Sequence, residues 1–279
     1  GEAGRIRGKL GWVLSAAYAR VGRAAAQPLT EREYSSGSDK WTRALDEMLS
    51  FLEVLLALDE HGVPRLPPLE VYVRRHPRRP IIVYSDAMFR RLQPGSSELW
   101  RSGRGLPFSR VGFVVFAPGW PRPFVSRLVL PLWVYDYLSQ DSFTLIQQAE
   151  LIAAVGVYRT LPHLFANEAA IHFVDNTGAL SNLIHGYASL PDCGRLVNTF
   201  HLALASLRCR VWLEWVPSKA NISDLPSRDD DVALLDALDA AHLGDMLSGF
   251  DEVEFRLPPI ESWSAPLATF AAICLSAGQ

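Results

Sequence analysis

Apolar residues recur at three- and four-residue steps through residues 5–26, where Ile6, Leu10, Val13, Leu14, Ala17 and Val21 form one stripe. That spacing predicts a helix with one face turned to a core. A loop around Pro28 and a polar Gly/Ser stretch at 35–39 follow, and a second helix is predicted from about Lys40 to Leu58. Its buried stripe is Leu45, Met48, Leu49, Leu52, Leu55 and Leu56. Residues 62–80 then hold five prolines and the basic cluster Arg74, Arg75, Arg78 and Arg79, a composition that disfavours helix and marks a linker. A boundary placed there makes residues 1–79 a helical connector with its linker.

Beyond residue 80 the pattern changes to short β-branched runs. Strands are predicted at 80–86 (PIIVYSD), 110–117 (RVGFVVFA) and 123–134 (PFVSRLVLPLWV), the last broken by Pro131 and so placed at an edge or ending there. A helix capped by Asp141 or Ser142 runs from Thr144 to about Leu161, with Leu145, Ile146, Ala149, Ile152, Ala153 and Val157 on its apolar side. A fourth strand (169–175, AAIHFVD), helices at 177–187 and 194–207, a fifth strand (209–216, CRVWLEWV), the loop PSKANISD and a short helix near 232–241 complete the order. Three strands, a helix, a strand, helices and a strand define a mixed α/β sheet whose later strands are joined by crossovers and run parallel. Ligands of such sheets bind at the carboxyl ends of the strands.

The composition supports a folded chain. Of 279 residues, 49% are hydrophobic and 20% charged, which excludes disorder over most of the length. The net charge of −3 hides a division: residues 1–80 and 81–228 each carry 13 basic against 10 acidic side chains, whereas residues 229–279 carry 1 against 10. A weakly basic body with an acidic C-terminal extension (229–279) says little about partners from net charge alone, and the extension suits a protein contact or a solvated face better than a nucleic acid. Three cysteines without CxxC or zinc spacing fit an intracellular, reducing compartment, nucleus or cytoplasm, and argue against a disulfide framework. No apolar run is long enough to cross a bilayer. The start, Gly-Glu-Ala-Gly without Met, reads as a processed or excised end.

Four acids stand where chemistry could gather: Asp86 ending the first strand, Glu150 on the first helix of the sheet region, Asp175 ending the fourth strand, and Asp224 in the loop after the fifth. Singly, each reads as well as a turn former, a cap or a solvated charge. Jointly they say more. If the first and fourth strands are neighbours, Asp86 and Asp175 meet at one edge and the helix can aim Glu150 between them. Clustered carboxylates repel unless cations neutralise them, and hard oxygen donors select Mg²⁺ or Mn²⁺ over zinc. Two such ions roughly 4 Å apart clamp the attacking and leaving oxygens of a phosphodiester.

The strings YSDA (84–87), QAELIA (148–153), HFVDNTGAL (172–180) and above all WVPSKANISDLPSR (215–228) resemble the ribonuclease H domain of retroelement reverse transcriptases, particularly the DIRS-like group. RGKLGWVLSAAYARVGRAAAQPL (7–29) resembles, more weakly, the segment joining polymerase and ribonuclease H parts. The resemblance implies a ribonuclease H-like five-stranded mixed sheet with flanking helices over residues 80–228, preceded by a small helical segment. It implies that Asp86, Glu150, Asp175 and Asp224 are the catalytic metal ligands for two Mg²⁺, with Mn²⁺ an alternative, acting on the RNA strand of an RNA/DNA hybrid. No YxDD polymerase pair occurs, so this chain would be the C-terminal portion only, or a descendant that has lost the polymerase. Proofreading-type exonucleases carry Asp-x-Glu in the first strand, whereas Asp86 is followed by Ala87 and Met88; integrases place their Glu on a late helix.

Other residues carry two readings each. Lys219, one of three lysines, could touch a substrate phosphate or be an exposed loop charge. Ser85 and Asn176 flank the acids and could meet a ribose 2′-hydroxyl. The arginines 74–79 could contact a duplex backbone or simply be solvated. Trp212 and Trp215 suit core packing better than base stacking on at least one face, and no histidine stands near Asp224 to assist product release. A rival reading is a host-adopted retroelement remnant serving as a non-catalytic subunit of a protein assembly.

Overall fold

In the computed structural model, residues 2–15, 20–34, 42–59, 61–66, 79–92, 106–138, 144–241 and 249–276 are described. The β-branched run after Pro80 becomes the central strand β1 (Ile81–Leu92), flanked by β2 (Leu106–Phe116) on one side and β4 (Ala169–Val174) on the other. β3 (Phe124–Val129) extends the meander, β5 (Arg210–Trp215) forms one edge, and the two-residue β6 (Asp251–Glu252) forms the other. The order is β5-β4-β1-β2-β3-β6. β1, β2 and β3 pair antiparallel, while β4 runs parallel to both β1 and β5, as the crossovers demand.

Helix α4 (Ile146–Thr160) lies between β1/β2 and α7 (Pro191–Leu207) and is buried on nearly every side. Its small residues, Ala149, Ala153, Ala154 and Gly156, allow that enclosure. At Gly156 an added Cβ would stand 2.0 Å from Cζ of Phe255, so the missing side chain is the seat of that ring, which also lies beside Phe113 with centroids 5.7 Å apart. The crossover from β4 to β5 starts with α6 (Thr177–His185), whose first turn is capped by Asn176 Oδ1 accepting from the Ala179 N–H at 3.0 Å. It ends at Gly186, whose φ of 67° is a left-handed conformation that glycine adopts without penalty.

A second core gathers elements distant in sequence. Leu14 of α1 (Glu2–Ser15), Leu29 of α2 (Gln27–Tyr34), and Leu45, Met48, Phe51 and Leu55 of α3 (Arg43–Leu56) pack with Leu202 of α7 and with Phe270 of α11 (Leu267–Ser276). α3 buries Leu45, Met48, Leu52 and Leu55 of the predicted stripe together with Phe51, whereas Leu49 is part-buried and Leu56, in the last turn, is 49% exposed. Thr42 starts the helix, its Oγ1 accepting from the Leu45 N–H at 3.3 Å. A third cluster joins Val114 and Val125 on the sheet to Leu234 and Leu238 of α9 (Asp231–Ala241).

Several local expectations change. The stripe predicted over 5–26 does not form one helix: Arg20 has a left-handed φ of 58°, and residues 21–26 pass through a turn into a 3₁₀ helix, with Val21 buried. Pro28 lies within α2, in the first turn, where its lack of an N–H costs nothing. β3 ends at Val129, and Leu132–Tyr137 turn as a 3₁₀ helix because Pro131 removes the next ladder donor. Trp212 and Trp215 are 67% and 49% exposed and not core residues, because β5 is an open edge. The caps Asp141 and Ser142, and Arg74, Arg75 and Arg78, lie outside the described residues, while Arg79 is exposed. Thr144 takes the cap's part, accepting from the Ile146 N–H at 3.2 Å. Cys193, Cys209 and Cys274 are free thiols, and among the described residues no helix is long and apolar enough to cross a membrane.

Candidate metal centre

β4 stops at Val174 opposite Ser85, while β1 runs on to Leu92 against β2 alone. Asp86 is therefore mid-strand and not at a strand end as the sequence pattern predicted. The effect is the same, because it stands at the first position where β1 loses its β4 neighbour, beside Asp175 on the turn into α6. Glu150, in the second turn of α4, reaches the same place from the helix packed on β1. One carboxylate oxygen from each of Asp86, Glu150 and Asp175 lies within 4.8 Å of the others.

Asp86 and Glu150 are each 3% exposed. Burial pushes the Asp86 carboxyl up to about 7, aided by the charges of Asp175 and Asp224 and opposed by a hydrogen bond from Ser227. Glu150 is held well above the carboxylate range, first by burial and then by Asp86 and Asp175, with only the Ala87 N–H pulling the other way. Its Oε2 is buried with no hydrogen-bond partner among the described residues. A buried carboxylate without a full set of donors, set among further carboxylates, favours a proton when no cation is bound, and a divalent cation could neutralise the cluster in the proton's place. The donor set is all hard oxygen, which fits Mg²⁺ or Mn²⁺.

Asp224 is not part of the trio. It opens the short helix α8 (Asp224–Arg228), where the sequence predicted a loop, and its Oδ1 pairs with Arg228 Nε at 2.7 Å. It is still near enough for its charge to act on Asp86 and Glu150. α8 rests on the sheet at Gly112, where a Cβ would meet Ser227 N at 3.0 Å.

Ser85 requires a correction. It is fully buried, with its Oγ 2.8 Å from His172 Nε2, whose Nδ1 in turn lies 3.0 Å from the Tyr158 hydroxyl, so it supports the sheet from beneath and cannot touch a ribose. Burial lowers the His172 pKa to about 3, so the bridging ring is neutral. The Asn176 carbonyl is spent on the α6 cap. Lys219 is exposed, on a 3₁₀ turn (Ser218–Ala220) leading to α8.

Sequence reasoning missed Asn221, Ser227, Arg228 and Gly112. The first three lie inside WVPSKANISDLPSR, and a string that specific was itself a signal that residues around Asp224 are tied to the site. It also missed that the Trp215 indole N–H donates to the Asp175 carbonyl at 3.1 Å. The acidic extension proves to be partly neutralised within the chain. Arg127 pairs with both oxygens of Asp231, with Asp229 at 3.0 Å and with Glu252 at 3.3 Å, while Arg110 pairs with Asp229 at 3.3 Å.

No protein-family model and no curated protein matches the chain. Among solved structures it is similar to the N-terminal RNase H domain of Rv2228c from Mycobacterium tuberculosis, at 17% identity, 57% of this chain, 97% of that one and a TM-score of 0.36. RNase H1 of the halophilic archaeon Halobacterium salinarum gives 14%, 55%, 97% and 0.37. LC9-RNase H1, a type 1 RNase H with the type 2 active-site motif, gives 13%, 71%, 87% and 0.38. Strand order and direction define the class as mixed α/β, a mixed sheet with parallel later strands and flanking helices as the sequence predicted, with β6 making six strands where five were expected.

Proposed function

We propose that the chain is a divalent-metal-dependent endonuclease that hydrolyses the RNA strand of RNA/DNA hybrids, and that it derives from a retroelement reverse transcriptase of the DIRS-like type. The observation that carries this reading is the trio Asp86, Glu150 and Asp175, with one oxygen of each within 4.8 Å of the others and with Glu150 Oε2 buried and without a hydrogen-bond partner among the described residues. These three residues would hold Mg²⁺, and Asp224 would join them from α8 as the fourth ligand. When bound, the ions supply the positive charge that favours an attacking hydroxide and a departing 3′-oxygen, leaving a 3′-hydroxyl and a 5′-phosphate.

The chain's own residues prepare that event. Asp86 and Glu150 are buried, so they would present their oxygens from the side of the site turned away from solvent. Arg228 holds the Asp224 carboxylate in place, with its Nε 2.7 Å from Oδ1. Lys219 is exposed on the loop before α8, where it could meet substrate phosphate. The division into connector (1–79), ribonuclease H-like domain (80–228) and C-terminal extension (229–279) is part of the same proposal.

The test is to present the full chain with end-labelled duplexes of one sequence as RNA/DNA, RNA/RNA and DNA/DNA, each with Mg²⁺, Mn²⁺ or chelator. The expected result is internal cleavage of the RNA strand of the hybrid alone, dependent on metal and yielding 5′-phosphate ends. Intact hybrid under every condition, or DNA cut as readily as RNA, would contradict the proposal.

A further inference from the structure

The segment from Asn221 to Arg228 brings Asp224 near the site, and it also grips Asp86. Ser227 is fully buried, and its Oγ donates to Asp86 Oδ2 at 2.6 Å. Asn221, 3% exposed, directs its Nδ2 to Asp86 Oδ1 and to the Ser85 carbonyl, each at 3.4 Å. The orientation of that amide is fixed from its other end, because Asn221 Oδ1 accepts from the Ser223 hydroxyl at 2.6 Å and from the Ser223 N–H at 3.3 Å. Each oxygen of the Asp86 carboxylate thus has one donor from this segment and retains further lone pairs, within a trio whose ligand oxygens lie within 4.8 Å of one another.

Two further features hold the segment in register. Gly112 pairs with Asp86 on one side and with Arg127 on the other, so the three share one row across β1, β2 and β3. Because residue 112 has no side chain, the backbone of Pro226 and Ser227 settles directly on that row. At its far end Arg127 holds Asp229 and Asp231, the residues just past α8.

We infer that Ser227 and Asn221 are positioning residues: they aim the Asp86 carboxylate at the metal position, and their place on Asp224's own segment sets both acids at once. The inference rests on the metal-site reading given above. A carboxylate freed from such donors rotates, and losing an outer partner of a metal ligand costs 10- to 100-fold in metal affinity or activity.

The experiment compares wild type and Ser227→Ala in the full chain by two readouts: Mn²⁺ binding followed by electron paramagnetic resonance without nucleic acid, and steady-state cleavage of a hybrid. The expected result is Mn²⁺ affinity weakened about 10- to 100-fold, kcat lowered by a similar factor, and KM for the hybrid within about two-fold of wild type. Wild-type Mn²⁺ affinity in a folded Ser227→Ala overturns the inference. If Ser227→Ala does not fold, Asn221→Ala replaces it, with the same expected loss and the same contrary result. Wild type that binds Mn²⁺ but cuts no hybrid overturns the nuclease reading alone, since the affinity comparison still decides the positioning role. Wild type that binds no Mn²⁺ overturns both.

Discussion

Asp86→Asn is expected to lower hybrid cleavage by on the order of 10³-fold and, in the absence of metal, to make the protein more stable above neutral pH. The cleavage loss comes from removing one anionic member of the carboxylate trio, and the pH effect from burial, since Asp86 is 3% exposed with Asp175 and Asp224 as like-charged neighbours. Its carboxyl ionises near pH 4 in the unfolded chain and at about 7 in the folded one. A group whose pKa rises on folding favours the native state below its unfolded pKa and loses that contribution as pH rises through the folded value. Wild type without metal therefore loses stability between about pH 4 and pH 7, by up to about 4 kcal/mol from Asp86 alone. Glu150 acts in the same direction, since its pKa is also raised.

The Asn variant keeps the shape and an oxygen for the Ser227 hydroxyl but has no charge to desolvate. Thermal unfolding in chelator at pH 5 and pH 8 should show wild type falling more steeply than the variant. Added Mg²⁺ should reverse the ranking at pH 8, because metal stabilises only the chain that binds it. Equal pH dependence in the two proteins would show that Asp86 is not held as an electrostatically costly group.

Gly156→Ala is expected to cost about 3 kcal/mol or more of folding stability. The added methyl would lie 2.0 Å from Phe255 Cζ, and α4 is packed against the sheet and α7 so that it cannot retreat. Phe255 would have to leave its place beside Phe113, detaching the extension at the point where it crosses the core. Phe255→Ala should cost a similar amount, and the double variant should cost less than the sum, because both remove the same contact. Denaturant unfolding of the four proteins measures this, and additive losses would contradict the assignment of Phe255 to the Gly156 notch.

What the sequence disclosed and what it did not divide along physical lines. The strands of the central sheet and helices α4, α6 and α7 were legible because each is a distinct apolar or β-branched run bounded by turn and capping residues, and the crossovers fixed parallel directions for β4 and β5. The meeting of Asp86 and Asp175 followed from placing β1 beside β4. The continuation of β1 to Leu92 was hidden, since its outer half pairs with β2 alone and runs through Arg90 and Arg91 with mostly part-exposed residues and no alternating period. α8 was hidden because five residues carry no period. The exposure of Trp212 and Trp215 depends on β5 being an edge, a matter of sheet order and not of local pattern. The ion pairs of Arg127 with Asp229, Asp231 and Glu252 were likewise invisible, and they explain why net charge by segment overstated the free acidity of residues 229–279.

The central claim is that the carboxylate trio performs metal-dependent hydrolysis of RNA in a hybrid. Its most direct measurement is single-turnover cleavage of a labelled RNA/DNA hybrid in Mg²⁺ by wild type and by Asp175→Asn, with hybrid binding followed in parallel. Wild type should cut the RNA strand while Asp175→Asn binds the hybrid and leaves it whole. Equal cleavage by the two proteins, or none by either, would contradict the account.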